Sequence, residues 1–260
     1  MELPNTLEEL ITVASALTSE NRIGYALGLS TTQLAAEFVE TFEMVLRAAG
    51  GRFFDETGKT VVNSEAGVRA MEWVKALFDS GAATHACISM NADDVLAGVQ
   101  AGTIAMATEG SMRVSTARQG PGAALKTAPM PSFEPGEPAP ALVAGQTLGI
   151  GANSQHPDAA WAFITYYLSR EAQTRWALDA LVLPVRRSVL EEPFFTETEQ
   201  GLEMAMWVNL ANQVGFTGTY PEDFAYFSQL LAEAAQRVVL LNVPIQQALD
   251  AAAAAYNAQH

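Results

Sequence analysis

A chain of 260 residues with 49% apolar and 17% charged content has enough material for one large or two smaller globular domains, and its composition excludes intrinsic disorder. A formal net charge of −15 argues against a nucleic-acid surface, because phosphate contacts need clustered Lys and Arg, and it disfavours an anionic membrane surface. One cysteine, Cys87, excludes an internal disulfide or a paired-cysteine zinc site and reads as a buried structural thiol. His85, His156 and His260 lack ligand spacing, so neither a metal nor a cofactor is expected.

No apolar run reaches the length of a spanning helix. The start, Met1-Glu2-Leu3-Pro4, has neither a basic region nor an apolar leader. The expectation is a protein that works inside the cell or a piece of a longer precursor.

Thr6 and Glu9 form a capping box ahead of a helix over 6–18, with Leu7, Leu10, Ile11, Ala14 and Leu17 as its apolar stripe. Residues 23–29 read as a strand interrupted by Gly24 and Gly28. Ser30-Thr31-Thr32 caps a helix over about 33–49, whose inward residues are Leu34, Phe38, Phe42, Val45, Leu46 and Ala49, and Gly50-Gly51 ends it. Residues 52–62 read as a hairpin with its turn at 55–59. Gly58-Lys59-Thr60 is no phosphate loop, because Phe53 stands where that motif's first glycine belongs. Asn63-Ser64 caps a helix over about 65–80, which Gly81 ends, and Asn91 with Asp94 opens a shorter one.

The chain is organised around Gly98 to Arg113. A helix stops at Gly102, and the short apolar run 103–108 is right for a buried strand. Glu109-Gly110-Ser111 breaks that run, and Ser111 is positioned to cap a helix from Met112 to Arg118. In open α/β sheets the turn beyond a strand's carboxyl end holds ligands, and the N–H groups of Ser111, Met112 and Arg113 are expected to point there.

After Gly120-Pro121-Gly122, residues 125–130 read as a further strand, and the proline-rich 129–140 as a loop and boundary. Residues 147–151 form a glycine-rich strand before a helix carrying Ala160, Trp161, Phe163, Ile164 and Tyr167. Ser169 caps the next helix, 184–187 is extended, and 197–214 is helical. A polar and aromatic loop spans 215–221, and closing helices cover about 222–241 and 244–258. Short strands separated by helices define an α/β class with a largely parallel sheet.

No nucleophile elbow, zinc-protease motif or nucleotide fingerprint is present, so no catalytic residue is assigned. Asp93-Asp94 and Glu191-Glu192 read as solvated pairs, and Arg186-Arg187 as surface cations. Trp73, Trp161 and Trp176 lie on helical faces and read as core. Phe216 and Tyr220 sit in a loop beside Gly215, Gly218 and Pro221, a setting suited to stacking on a sugar or other ring.

Several segments together resemble the extracellular solute-binding proteins, family 1, of ATP-binding-cassette (ABC) sugar importers. They are Pro4 to Leu10, with Leu7 in a tryptophan's place; the Gly-Gly-x-Phe-Phe-Asp run within Ala48 to Lys59; and the helix start Asn63 to Ala66. Gly102 to Met112, Gly145 to Phe163 and Pro184 to Leu190 follow in the family's order. The resemblance implies a periplasmic-binding-protein-like (type II) α/β fold in which 1–140 and 184–260 form the second, C-terminal lobe. Residues 141–183 would be the hinge and a returning segment of the first lobe. A leader and most of that first lobe would be missing, and the orphaned 145–182 segment would recruit another copy or a missing-lobe partner.

The implied function is the substrate-binding component of an ABC importer, periplasmic or at the cell surface, working with permease subunits and closing on a sugar-like solute. The implied ligand contacts are Ser111, Met112 (in place of a stacking aromatic), Arg113, Gly145, Gln146 (where glycine is usual), Thr147, Phe216 and Tyr220, with Tyr25 and Thr31 flanking the first strand–helix turn. Two alternatives stand beside it: an interaction protein that kept the fold and lost its ligand, and an α/β enzyme with Glu109 as base.

Overall fold

The computed structural model describes residues 3–32, 36–120, 124–218 and 220–259. The expectations placed on Leu34, Pro121, Gly122 and His260 fall outside them. Helix α1 (Leu7–Leu17) opens the chain, with Thr6 Oγ1 accepting the Glu9 N–H at 3.0 Å. The capping box is shifted by one residue, because the Glu9 carboxylate accepts from the Asn5 N–H at 2.8 Å. Strand β1 (Ile23–Ala26) follows, then α2 (Ala36–Ala48), α3 (Glu65–Asp79) and α4 (Ala92–Ala101). Asn91 and Asp94 complete the reciprocal cap of α4, and Gly102, at φ 76°, ends it in the left-handed conformation that a Cβ disfavours.

Strand β2 (Ile104–Ala107) lies parallel to β1, with Ile23 opposite Ile104 and Tyr25 opposite Met106. The other edge of β1 is also occupied, since the Tyr25 N–H donates to Ala82 O and the Leu29 N–H to Cys87 O, both at 2.9 Å. The first strand therefore sits inside the molecule. Helix α1 is pressed against it at Gly24, where a Cβ would stand 1.9 Å from Ala14 O.

The main core gathers α1, β1, α2, α3, α4 and β2 with α10 (Phe224–Leu241) and α11 (Ile245–Asn257). Its centre is aromatic. The Phe53 ring lies 4.9 Å from Phe227 and 6.3 Å from Phe42, and Tyr256 closes the group at 5.6 Å from Phe227. Trp73 is core as expected, its Nε1–H donating to Leu7 O at 3.1 Å, and Cys87 is buried.

Among the described residues, nothing between Phe133 and Phe224 joins that core. The intervening chain forms β3 (Ala141–Leu142), α6 (Pro157–Tyr167), α7 (Arg170–Ala180), α8 (Pro193–Glu197), α9 (Glu199–Val214) and β4 (Gly215–Phe216). A second, smaller cluster of Ala177, Val189, Phe195 and Met204 packs there. A short helix α5 (Val114–Ala117) leads to Arg118, whose guanidinium grips Glu203 of α9 through two 2.7 Å hydrogen bonds. Among the described residues no helix is long and apolar enough to cross a membrane.

Several expectations are corrected. The 52–62 hairpin stands, though reduced to one antiparallel bridge, Phe54 to Thr60, around a turn in which Asp55 Oδ1 accepts from the Thr57 and Lys59 N–H groups. Residues 125–130 form no strand; Pro129 and Pro131 have no N–H with which to extend a ladder. Residues 147–151 are exposed and form no strand either, with nothing within 4 Å of the space a Cβ would fill at Gly149 or Gly151. The parallel pair in this half of the chain is instead β3 with β4, Leu142 opposite Phe216.

The helix expected over 197–214 is α9, starting two residues later behind the Thr198 cap, and the short α8 before it was not expected. Trp161 is 63% and Trp176 42% exposed, so neither is core, and only Ile164 of α6 is buried. The Gly24→Ala variant is expected to lose about 2 kcal/mol or more of stability in urea denaturation, because the new methyl meets backbone that cannot yield.

Candidate functional site

Because β1 and β2 are parallel, their carboxyl ends open on the same side, and the segments beyond them, 27–32 and 108–113, are neighbours there. A short hydrogen bond of 2.6 Å between the Tyr25 hydroxyl and Thr108 Oγ1 ties the two ends. Tyr25 is thus a buried tie beneath the site, and desolvation pushes its phenol well above the usual tyrosine value.

Beyond β2 the chain does not make the expected cap. Ser111 lies inside a single tight turn, Ser111–Arg113, and the Arg113 N–H is taken by Gly110 O at 2.9 Å. Ser111 borders a narrow recess with Arg118, Glu203 and Trp207. Met112 projects into solvent, 69% exposed. The Arg113 guanidinium donates to Ala92 O and Asp93 Oδ1, each at 3.1 Å, and stands 3.6 Å from Glu109 Oε2. Asp93 is solvated as expected, its side chain 69% exposed, while it holds Arg113 in place.

Beyond β1, the Gly28 N–H donates to Glu37 Oε1 at 3.1 Å. A side chain at position 28 would stand 2.5 Å from Glu37 Oε2, so glycine is what lets the carboxylate lie against the strand end. Thr31 is half-buried in the following turn, where the Thr32 N–H donates to Ser30 Oγ.

Helix α2 supplies a row the sequence reading missed. Glu37, Glu40 and Glu43 recur every three residues and so follow one side of the helix. Glu43, almost fully buried, accepts from Arg47 at 2.8 and 3.0 Å, and its other oxygen takes the Tyr220 hydroxyl at 2.6 Å. Arg47 in turn lies 3.9 Å over the Phe216 ring, and Tyr220 stacks on Phe224 at 4.2 Å. Burial, and then the bond to Glu43, push the Tyr220 phenol far above its ordinary value. The loop aromatics are thus drawn to α2. Gly145, Gln146 and Thr147 stay exposed on the connecting segment.

Two of the acids are energetically exposed in a different sense. Glu37 is 8% accessible, and its Oε2 has no hydrogen-bond partner; neither does the buried Oε1 of Glu109. Desolvation raises the Glu37 carboxyl to about 8 and that of Glu109 to about 7, with repulsion from Glu109 adding at Glu37 and repulsion from Glu40 adding at Glu109. Glu40 is raised by burial too. The spacing was the only signal: glutamates at i, i+3 and i+6 on a helix whose other positions are Phe38, Val39, Phe42 and Val45.

The model of bacterial extracellular solute-binding proteins matches residues 3–203, and the chain belongs to that family. A search of curated proteins finds no match. Among solved structures, the maltose-bound MalE3 of T. maritima is 20% identical with a TM-score of 0.83, and 100% of this chain covers 66% of it. The GacH receptor of Streptomyces glaucescens, solved unliganded and with acarbose, is 24% identical with a TM-score of 0.79, covering 99% of this chain and 64% of that one. A sugar transporter from Arthrobacter chlorophenolicus with bound laminaribiose is 20% identical at a TM-score of 0.75, with 99% of this chain covering 66% of it. The fold is therefore periplasmic-binding-protein-like, type II, and this chain spans just under two thirds of the length of those structures.

Glu37 prefers its neutral form in the folded state. Its stabilising contribution is complete below the free-carboxyl value of 4.5 and disappears as pH rises through about 8. Urea midpoints are expected to fall from pH 5 to pH 9. In Glu37→Gln the decline flattens, and stability at pH 9 exceeds that of the parent by on the order of 2–4 kcal/mol.

Proposed function

We propose that this chain is the substrate-binding component of an ABC importer, holding a sugar or related polar solute in a cleft at the carboxyl ends of β1 and β2 and closing over it about a hinge. The observation that carries the reading is the convergence there of hydrogen-bonding side chains, Glu37, Glu109 and Arg113, with the aromatic Tyr220 reached along the glutamate row of α2. Carbohydrates are held by just these means, hydrogen bonds at the ring edge and an aromatic face against the ring. Relatives of this fold are described with maltose, acarbose and laminaribiose.

In this reading 1–140 and 184–260 form one lobe, and 141–183 is the hinge and the part of the other lobe that this chain carries. What supports a separate segment is the gap in the main core between Phe133 and Phe224, with Val189, Phe195 and Met204 packed on Ala177 and so on that segment's side of the break. Uncovered apolar side chains on α6, Trp161 and Phe163, at 63% and 60% exposure, support it as well. Their natural cover is the rest of the first lobe, with a second copy of the chain or a separate partner as substitutes. Ser111, Met112, Arg113, Gly145, Gln146, Thr147, Phe216 and Tyr220 border the cleft, with Thr31 at its rim and Tyr25 beneath. The transporter's permease subunits are the protein partners, and the site of action is the periplasm or cell surface.

Ligands are tested on this chain at millimolar concentration. A sugar at ten times its Kd is expected to add about 1.4 kcal/mol of stability and to raise Tm by about 3 °C. Maltose, laminaribiose, ribitol and tagatose form the first panel for thermal-shift measurement. Tyr220→Ala is expected to reduce the shift by half or more, whereas a flat response to every sugar overturns the reading.

A further inference from the structure

We propose that residues 143–214 move as one body about the β3–β4 pair, and that the ion pair of Arg118 with Glu203 is the latch that holds this body beside the turn beyond β2. This deepens the hinge-closing reading above and rests on it for its purpose, while carrying the moving unit past residue 183 to the end of α9.

The body is defined by what its side chains touch. Ala177 of α7, Val189, Phe195 of α8 and Met204 of α9 are buried against one another, with Leu181 and Trp207 packed around them. None of them joins the main core. Helices α7, α8 and α9 thus share one close-packed interior, which resists deformation and keeps its helices together. Helix α6 is joined to α7 through the Tyr167 ring, 5.6 Å from Trp176.

The chain enters and leaves this body at one place. It goes out past β3 and returns through β4, and the two crossings are paired, the Val143 N–H donating to Phe216 O at 2.8 Å. Helix α2 fixes the pair to the main core: Arg47 lies over the Phe216 ring, and Glu43 accepts the Tyr220 hydroxyl. Crossings far apart would pin the body at two points. Crossings side by side leave rotation as the easy motion, carried by a few backbone torsions where the strands end.

Elsewhere the contact is narrow. Among the described residues, the side-chain hydrogen bonds that leave 143–214 all end on Arg118, Lys126 and Thr127. Lys126 with Glu199 is exposed and counts for little. Glu203 is held far better, because both guanidinium N–H groups of Arg118, at 2.7 Å, and the Thr127 hydroxyl converge on its carboxylate. Arg118 is itself steadied by donating from Nε to Leu125 O at 3.0 Å. The receptor is therefore preset on the main-core side, and α9 contributes a single side chain that can withdraw. Arg118 directly follows α5, which begins at the end of the Ser111–Arg113 turn, and Ser111 and Trp207 face the same recess beside the ion pair. A solute entering that recess has to part the two bodies there, which links occupancy at the turn to the state of the latch.

The test is pulsed electron paramagnetic resonance on the full chain, spin-labelled at exposed positions. Glu72→Cys on α3 is paired with Leu202→Cys on α9 to span the two bodies, and Thr165→Cys on α6 with Leu202→Cys to stay within one. Cys87 is buried and takes no label. Glu203→Gln is expected to broaden the 72–202 distance distribution about twofold or more while the 165–202 distribution keeps its width. Arg118→Gln does the same and serves as the second variant should the first fail to fold, whereas Glu199→Gln leaves both distributions unchanged. If 72–202 stays narrow in Glu203→Gln and Arg118→Gln, the latch is overturned. If 165–202 broadens and 72–202 does not, α9 belongs with the main core and the moving body is overturned. No sugar enters these measurements, so a flat thermal-shift panel removes the solute reading without deciding the motion.

Discussion

The parallel pairing of β1 with β2 is the constraint on which the rest of this molecule depends. An antiparallel partner would put the two strand ends on opposite sides. The parallel one brings Gly28 and Glu109, distant in sequence, to the same opening. Parallel strands need cover on both faces, and β1 has it: α1 against Gly24, the 82–87 segment on its free edge, and Trp73 edge-on to Tyr25 at 6.0 Å. The sheet is short because helices supply most of the core. Its role is to aim two turns rather than to bury area.

Those turns are held in place unequally. Arg113 is anchored by backbone and carboxylate together, and Tyr25 with Thr108 locks the strand ends. The carboxyl groups of Glu37 and Glu109 are instead buried with one oxygen each unanswered. Folding alone gives no return on that arrangement, since desolvating a carboxyl costs free energy whether it ends up neutral or charged.

The second half of the chain follows a different logic. Residues 141–183 have regular helices, yet their apolar side chains find few partners in the main core, and α6 buries only Ile164. Farther along, α9 is tied to the first half of the chain by polar pairs, Arg118 on Glu203 and Lys126 on Glu199, the latter exposed and so of small energetic weight. The small cluster around Phe195 and Met204 is what packs α7, α8 and α9 together. A surface with Trp161 and Phe163 standing in water is characteristic of one built to be covered.

Local chemistry decided much of this in advance. Thr6, Ser64, Asn91, Ser169 and the glycines at 50, 81 and 102 set helix ends by hydrogen bonds and φ values that neighbouring residues determine, and they stand where the sequence places them. The brevity of the apolar run before Glu109 was enough to locate β2, and the order of glycine- and aromatic-bearing segments was enough to recognise the family. Strand status elsewhere was not legible, because a strand exists only beside another: 125–130 and 147–151 carry strand-like residues but have no edge to join, while β3 and β4 pair across more than seventy residues. The glutamate row of α2 was equally hidden. Charged residues at helical spacing usually mark a solvated face, and only the packing around Glu37 turned one of them into a buried acid against the end of β1.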